Sequence, residues 1–169
     1  MIEIAVAQLD TKTRTYKKPS GNWCVNYAYW SAMQAGVKAL EKSGSTWQTM
    51  KEYSDAGRLM NPKEYTPKAG DFVFFDFNVA DTEDGGHTGI VVAYDEKTGI
   101  VYTIEGNTGD PQTVRFRQQS SSFDNPEWDP YNTGKSKHAA IVGYGMNGGT
   151  STGAEYMYLL TGREITKRQ

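Results

Sequence analysis

A single cysteine, Cys24, stands where a polar loop gives way to an apolar-periodic helix, in Ser20-Gly21-Asn22-Trp23-Cys24-Val25-Asn26-Tyr27-Ala28. A thiol is a strong nucleophile only as its thiolate, and a helix start favours that anion through its positive dipole end and unpaired N–H groups. Further on, Gly86-His87-Thr88-Gly89 leads an apolar strand, and Ile104-Glu105-Gly106-Asn107 ends the next one. A thiol, an imidazole, a carboxylate and an amide spread along one chain are the parts of a thiol hydrolase. Each residue also has a plainer use. Free cysteine serves as a small buried hydrophobe, a strand-end glutamate is commonly solvated, and Asn107 suits the turn Gly106-Asn107-Thr108-Gly109.

There are only two histidines, His87 and His138, and both precede apolar strands. Composition does not choose between them, but a hairpin does. His87–Tyr94 and Ile100–Glu105 are joined by the short Asp95-Glu96-Lys97-Thr98-Gly99, which predicts antiparallel pairing and brings Glu105 near His87. A carboxylate there would accept the imidazole N–H, fix its tautomer and support its charged form.

The elements that carry these residues follow from periodicity. Ile2, Ala5, Val6 and Leu9 predict a short amphipathic helix. A second helix starts at Asn22 as N-cap, with Val25, Ala28, Tyr29, Ala32 and Gly36 on its buried face. Ser45-Thr46-Trp47-Gln48 is a capping box for a third, which stops at Gly57. Strands follow at Asp71–Asp76, His87–Tyr94, Ile100–Glu105, Thr113–Arg117 and His138–Tyr144. Helices first and hairpin-linked strands after predict an α+β fold with an antiparallel sheet of about five to six strands. The polar stretch 118–137 is a long loop carrying Phe123, Trp128 and Tyr131. After Gly148 the chain is Gly/Thr/Ser-rich, then forms a short helix near Tyr156–Leu160 and a charged tail.

The 169 residues suit one domain, burying roughly 70% of the unfolded surface. A net charge of −2 provides no general basic field for nucleic acid. One cysteine excludes an internal disulfide and a multi-Cys zinc site. No run approaches the roughly 18 apolar residues of a membrane span, so no membrane insertion is expected. Met1-Ile2-Glu3-Ile4-Ala5 lacks the basic-then-apolar pattern of a secretory signal. The expected route is synthesis in the cytoplasm and action elsewhere after release or delivery.

Three ordered segments carry a family resemblance: Pro67-Lys68-Ala69-Gly70-Asp71-Phe72, Gly86-His87-Thr88-Gly89-Ile90-Val91-Val92 and Ile104-Glu105-Gly106-Asn107. With the Trp23-Cys24 helix start and the closing Ile141-Val142-Gly143-Tyr144-Gly145, the chain resembles the CHAP family. These are cysteine, histidine-dependent amidohydrolases/peptidases related to NlpC-type and papain-like folds. The resemblance implies a catalytic domain over residues 1–147, with 148–169 as a C-terminal extension. It implies Cys24 as nucleophile, His87 as its base, Glu105 orienting His87, and Asn107 as a supporting polar group. The implied substrate and partner is the peptide portion of bacterial peptidoglycan, cleaved by an amidase or endopeptidase of the phage-lysin kind, assumed to be a monomer.

Trp23, Trp128 and Tyr131 are the aromatic candidates for substrate contact. Two departures from the family pattern stand out. Many relatives place Gln before the Cys as a second oxyanion donor; here it is Trp23, so Asn22, Tyr16 or a loop N–H would have to serve. Relatives that bind calcium use aspartates just before the Cys, and this chain has only Asp10 upstream. No metal or cofactor is expected, and Asp81, Glu83 and Asp84 read as an acidic surface loop. Two other readings remain open: a non-catalytic wall-binding or structural phage protein, and a thiol peptidase acting on proteins.

Overall fold

A computed structural model describes residues 1–12, 16, 23–40, 44–76, 86–109, 111–120 and 140–167. Among the described residues three α-helices come first: α1 (Ile2–Val6), α2 (Cys24–Gln34) and α3 (Thr46–Asp55). The apolar spacing of α1 buries Ile2, Ala5 and Val6. Ser45 caps α3 by accepting from the Gln48 N–H, as its capping sequence requires. Helix α2 differs from expectation. It starts at Cys24 with Trp23 as N-cap and no side-chain cap bond, while Asn22 lies outside the described residues. Its buried face holds Tyr27 and Ser31 rather than Tyr29 and Gly36. Gly36 lies past the end of the helix at Gln34, and the face turned to the sheet is centred on Ala28 and its neighbours Cys24, Tyr27, Ser31 and Ala32. The Tyr27 hydroxyl then reaches the Ala5 carbonyl of α1 at 2.9 Å.

Seven strands follow among the described residues: β1 (Leu59–Met60), β2 (Phe72–Asp76), β3 (Gly86–Asp95), β4 (Ile100–Thr108), β5 (Thr113–Ser120), β6 (Ala140–Gly145) and β7 (Thr166–Lys167). They form one sheet in the order β1-β6-β2-β3-β4-β5-β7. The pairs from β1 through β5 are antiparallel, and β7 joins β5 in parallel. The architecture is α+β. Six antiparallel strands reach the upper end of the expectation, and the two-residue β7 adds an edge. Between β6 and β7 a 3-10 helix, Ala154–Leu160, seats Leu160 in the core.

One face of the sheet packs Phe72, Phe74, Ile90, Ile104 and Phe116 against Tyr27, Ala28, Met50 and Tyr53 of the helices. The opposite face holds Val73, Phe75, Val91, Val101, Ile141 and Tyr144. Pleating sends alternate residues to these two faces. Hence Ile104 and Gly106 of β4 look toward α2, while Thr103 and Glu105 look away.

Candidate active site

Strands β3 and β4 part where the site lies. Their paired register ends at Ile90↔Ile104. Beyond it, Gly86–Gly89 pair only with β2, while Glu105 and Thr108 pair only with β5 across a bulge. The first turn of α2 sits at this divergence. A Cβ on Gly106 would come within 2.7 Å of Tyr27 and 2.8 Å of Trp23, so only glycine lets the helix start approach this closely. From there Cys24 reaches His87, and the Thr88 and Val25 backbone N–H groups point to its sulfur.

Continuing the β3–β4 register places Gly89 across from Glu105, and His87 one diagonal step away. Gly89 has no side chain, and a Cβ there would lie 2.8 Å from Glu105 Cγ. The carboxylate can therefore lie across Gly89 to the imidazole. Glu105 Oε2 accepts from His87 Nε2 at 2.8 Å, and Oε1 accepts from the Thr103 hydroxyl at 2.6 Å. With Nε2 committed to Glu105, Nδ1 is the ring nitrogen left to face the thiol. Phe75, opposite His87 on β2, flanks the ring at 6.0 Å between centroids. Thr46 of α3 bonds Thr88 through their hydroxyls at 3.0 Å and steadies the start of β3.

The three groups are nearly enclosed: Cys24 is 3% exposed, His87 5% and Glu105 0%. Burial pushes the Cys24 thiol up. The His87 charge and hydrogen bond, with the Thr88 and Val25 N–H groups, outweigh it and bring the thiol below its ordinary value. For His87, burial pushes the imidazole down, but the Cys24 and Glu105 charges and hydrogen bonds hold it up at about 9. Both shifts favour thiolate and imidazolium together, and the two groups titrate as a pair. A buried carboxylate stripped of partners would destabilise the fold by several kcal/mol; here both oxygens are engaged.

The family-model match is to the CHAP domain over residues 15–107, more than half of the chain. The chain belongs to the CHAP domain family. CHAP domains are amidase- and peptidase-type hydrolases that act on peptidoglycan. No curated protein and no solved structure matches the chain.

Of the residues singled out from the sequence of this CHAP domain, Cys24, His87 and Glu105 come together. Asn107 follows at the bulge with a left-handed φ of 56°. Trp23 lies in the core, 3% exposed and stacked on Tyr16 at 5.4 Å. Its ring supports the Cys24 turn and offers no open face to substrate. Tyr16, weighed as an oxyanion donor, directs its hydroxyl to Thr11 and Gln8. Trp128, Tyr131, His138, Asn22, Asp81, Glu83 and Asp84 lie outside the described residues. Sequence reasoning missed Thr103. The signal was its place two residues before Glu105 on one strand, which puts both on the same face.

Proposed function

We propose that this CHAP domain is a cysteine-dependent peptidoglycan hydrolase in which Cys24 is the nucleophile, His87 the proton carrier and Glu105 the residue that orients His87. The observation that supports this most is the buried Cys24–His87–Glu105 relay, in which the thiol is lowered and the imidazole raised. The Cys24 thiolate attacks an amide carbonyl carbon, and the tetrahedral oxyanion forms beside the Cys24 backbone N–H. That donor stands at the first position of α2, where helix N–H groups have no intrahelical partner. As the C–N bond breaks, the imidazolium gives its proton to the leaving amine. Water then attacks the thioester, His87 takes one of the water's protons, and the carboxylic acid leaves as the Cys24 thiolate and the His87 imidazolium are restored. Asn107, on the same stretch of β4, supports the polar end of the relay.

The bond cut is the N-acetylmuramoyl–L-alanine amide or a peptide bond of the stem or cross-bridge. The biological setting is a phage lysin, made in the cytoplasm and acting on the wall after release. Purified sacculi incubated with the protein should release soluble muropeptides, and mass spectrometry of the new termini assigns the bond. Cys24→Ala should lower the rate at least about 1,000-fold with the melting temperature held within a few degrees. Turnover retained by Cys24→Ala would overturn the nucleophile assignment.

A further inference from the structure

Strand β5 borders the Glu105 face of the sheet. Arg115 pairs across from Glu105 and Arg117 across from Thr103. Residues paired this way share a face, so both arginines project from the side that carries His87 and Glu105. Both are half-buried. Arg115 is bound to its own strand and turn, through Nε to the Thr113 hydroxyl and Nη2 to the Pro111 carbonyl. Arg117 reaches the neighbouring strand instead. Its Nε and Nη2 donate to the Thr108 Oγ1 at 3.0 and 2.7 Å.

Thr108 pins the guanidinium at the end of β4 just beyond Glu105 and Asn107. A guanidinium has five N–H donors, and Thr108 occupies only two of them. Among the described residues no carboxylate pairs with Arg117. In a chain of net charge −2, two arginines on one strand with no acid partner among the described residues are not part of a general basic surface. A planar cation fixed in orientation, half-buried and lacking an acid suits a carboxylate bound through two parallel hydrogen bonds.

We propose that Arg117, held by Thr108, binds a free carboxylate of the peptide substrate and so sets which peptides are cleaved. This rests on the hydrolase reading above and names the substrate feature that reading lacks. The bound carboxylate belongs either to the C-terminus of the stem or to an internal acidic residue.

The test uses one stem peptide in three forms: all carboxylates free, the C-terminus amidated, and the internal acid amidated. Amidating the recognised group should lower wild-type kcat/KM about 10- to 100-fold, mainly through KM. Which form is affected identifies the source of the carboxylate. Arg117→Gln should lose the same factor on the free-acid peptide and nothing further on the amidated one. Its Cys24 thiolate titration should match wild type, which shows the relay is intact. Equal cleavage of all three forms by wild type, or an unchanged acid-to-amide ratio in Arg117→Gln, overturns the proposal. If wild type cleaves none of them, the hydrolase reading fails separately. Equilibrium binding of the acid and amide forms then decides Arg117's role: tighter binding of the acid supports it, and equal binding overturns it.

Discussion

Two fully buried carboxylates among the described residues sit in contrasting surroundings. Asp71 and Glu105 are both 0% exposed. Asp71 Oδ2 accepts from the Tyr65 hydroxyl and the Lys68 N–H, both at 2.8 Å, and Oδ1 from the Asn147 N–H at 3.2 Å. Burial still leaves Asp71 above its ordinary value, despite those donors. Its partners are fixed groups from the turn before β2 and from the segment after β6, so it ties two loops to the sheet. Glu105 differs in one partner. His87 can change charge in the ordinary pH range, whereas burial and Asp71 hold the Tyr65 phenol neutral, and behind His87 stands a thiol. Burial of an acid is therefore no mark of function by itself. The mark is a partner that can change charge while facing a group that can react.

Glu105→Gln tests that distinction with the largest expected effect. The amide keeps the shape but removes the charge that supports imidazolium. We expect kcat/KM to fall about 100- to 10,000-fold. Wild-type turnover should decline as pH rises through about 9, where His87 gives up the proton needed by the leaving amine. In Glu105→Gln that decline should begin at lower pH, because a lost opposite charge lowers the imidazole pKa. A decline at the same pH in both proteins would remove Glu105 from the relay.

Thr103→Val probes the other oxygen of Glu105. Loss of the hydroxyl at Oε1 should reduce kcat about tenfold, with KM nearly unchanged and Thr103→Ser restoring the rate. A defect of equal size in the serine variant would reduce Thr103 to packing. Asp71→Asn should have the smallest effect on activity, within about threefold per folded molecule. The amide nitrogen would face an N–H donor, so stability should drop by about 1–3 kcal/mol in denaturant unfolding. A large loss of kcat with unchanged stability would move Asp71 to the catalytic side.

Much of this arrangement could be read from residue order. The capping box of α3, the apolar spacing of α1 and the hairpin of β3 and β4 depend on local patterns, and local patterns survive in sequence. The short Gly99-containing connection was enough to place Glu105 near His87. What escaped detection depends on distant partners. Strands β1 and β7 span two residues each, too short for any period, and exist because β6 and β5 offer them an edge. The start of α2 was misplaced because Asn22 is a good cap by type, whereas Trp23 is held by stacking on Tyr16. The roles of Thr103, Asp71 and Gly89 become visible only when strands lie side by side. Gly89 in particular reads as an ordinary strand glycine until Glu105 is seen to cross it.

Cys24 and His87 should titrate as one pair. Cys24 is the sole cysteine, so thiolate absorbance, taken as the difference between each protein and its Cys24→Ala counterpart, reports this group alone. In wild type the thiolate should appear at lower pH than that of an ordinary thiol. His87→Ala should move the midpoint above that of an ordinary thiol, because burial then acts without an opposing charge. An identical midpoint with and without His87 would show that the two groups do not titrate together.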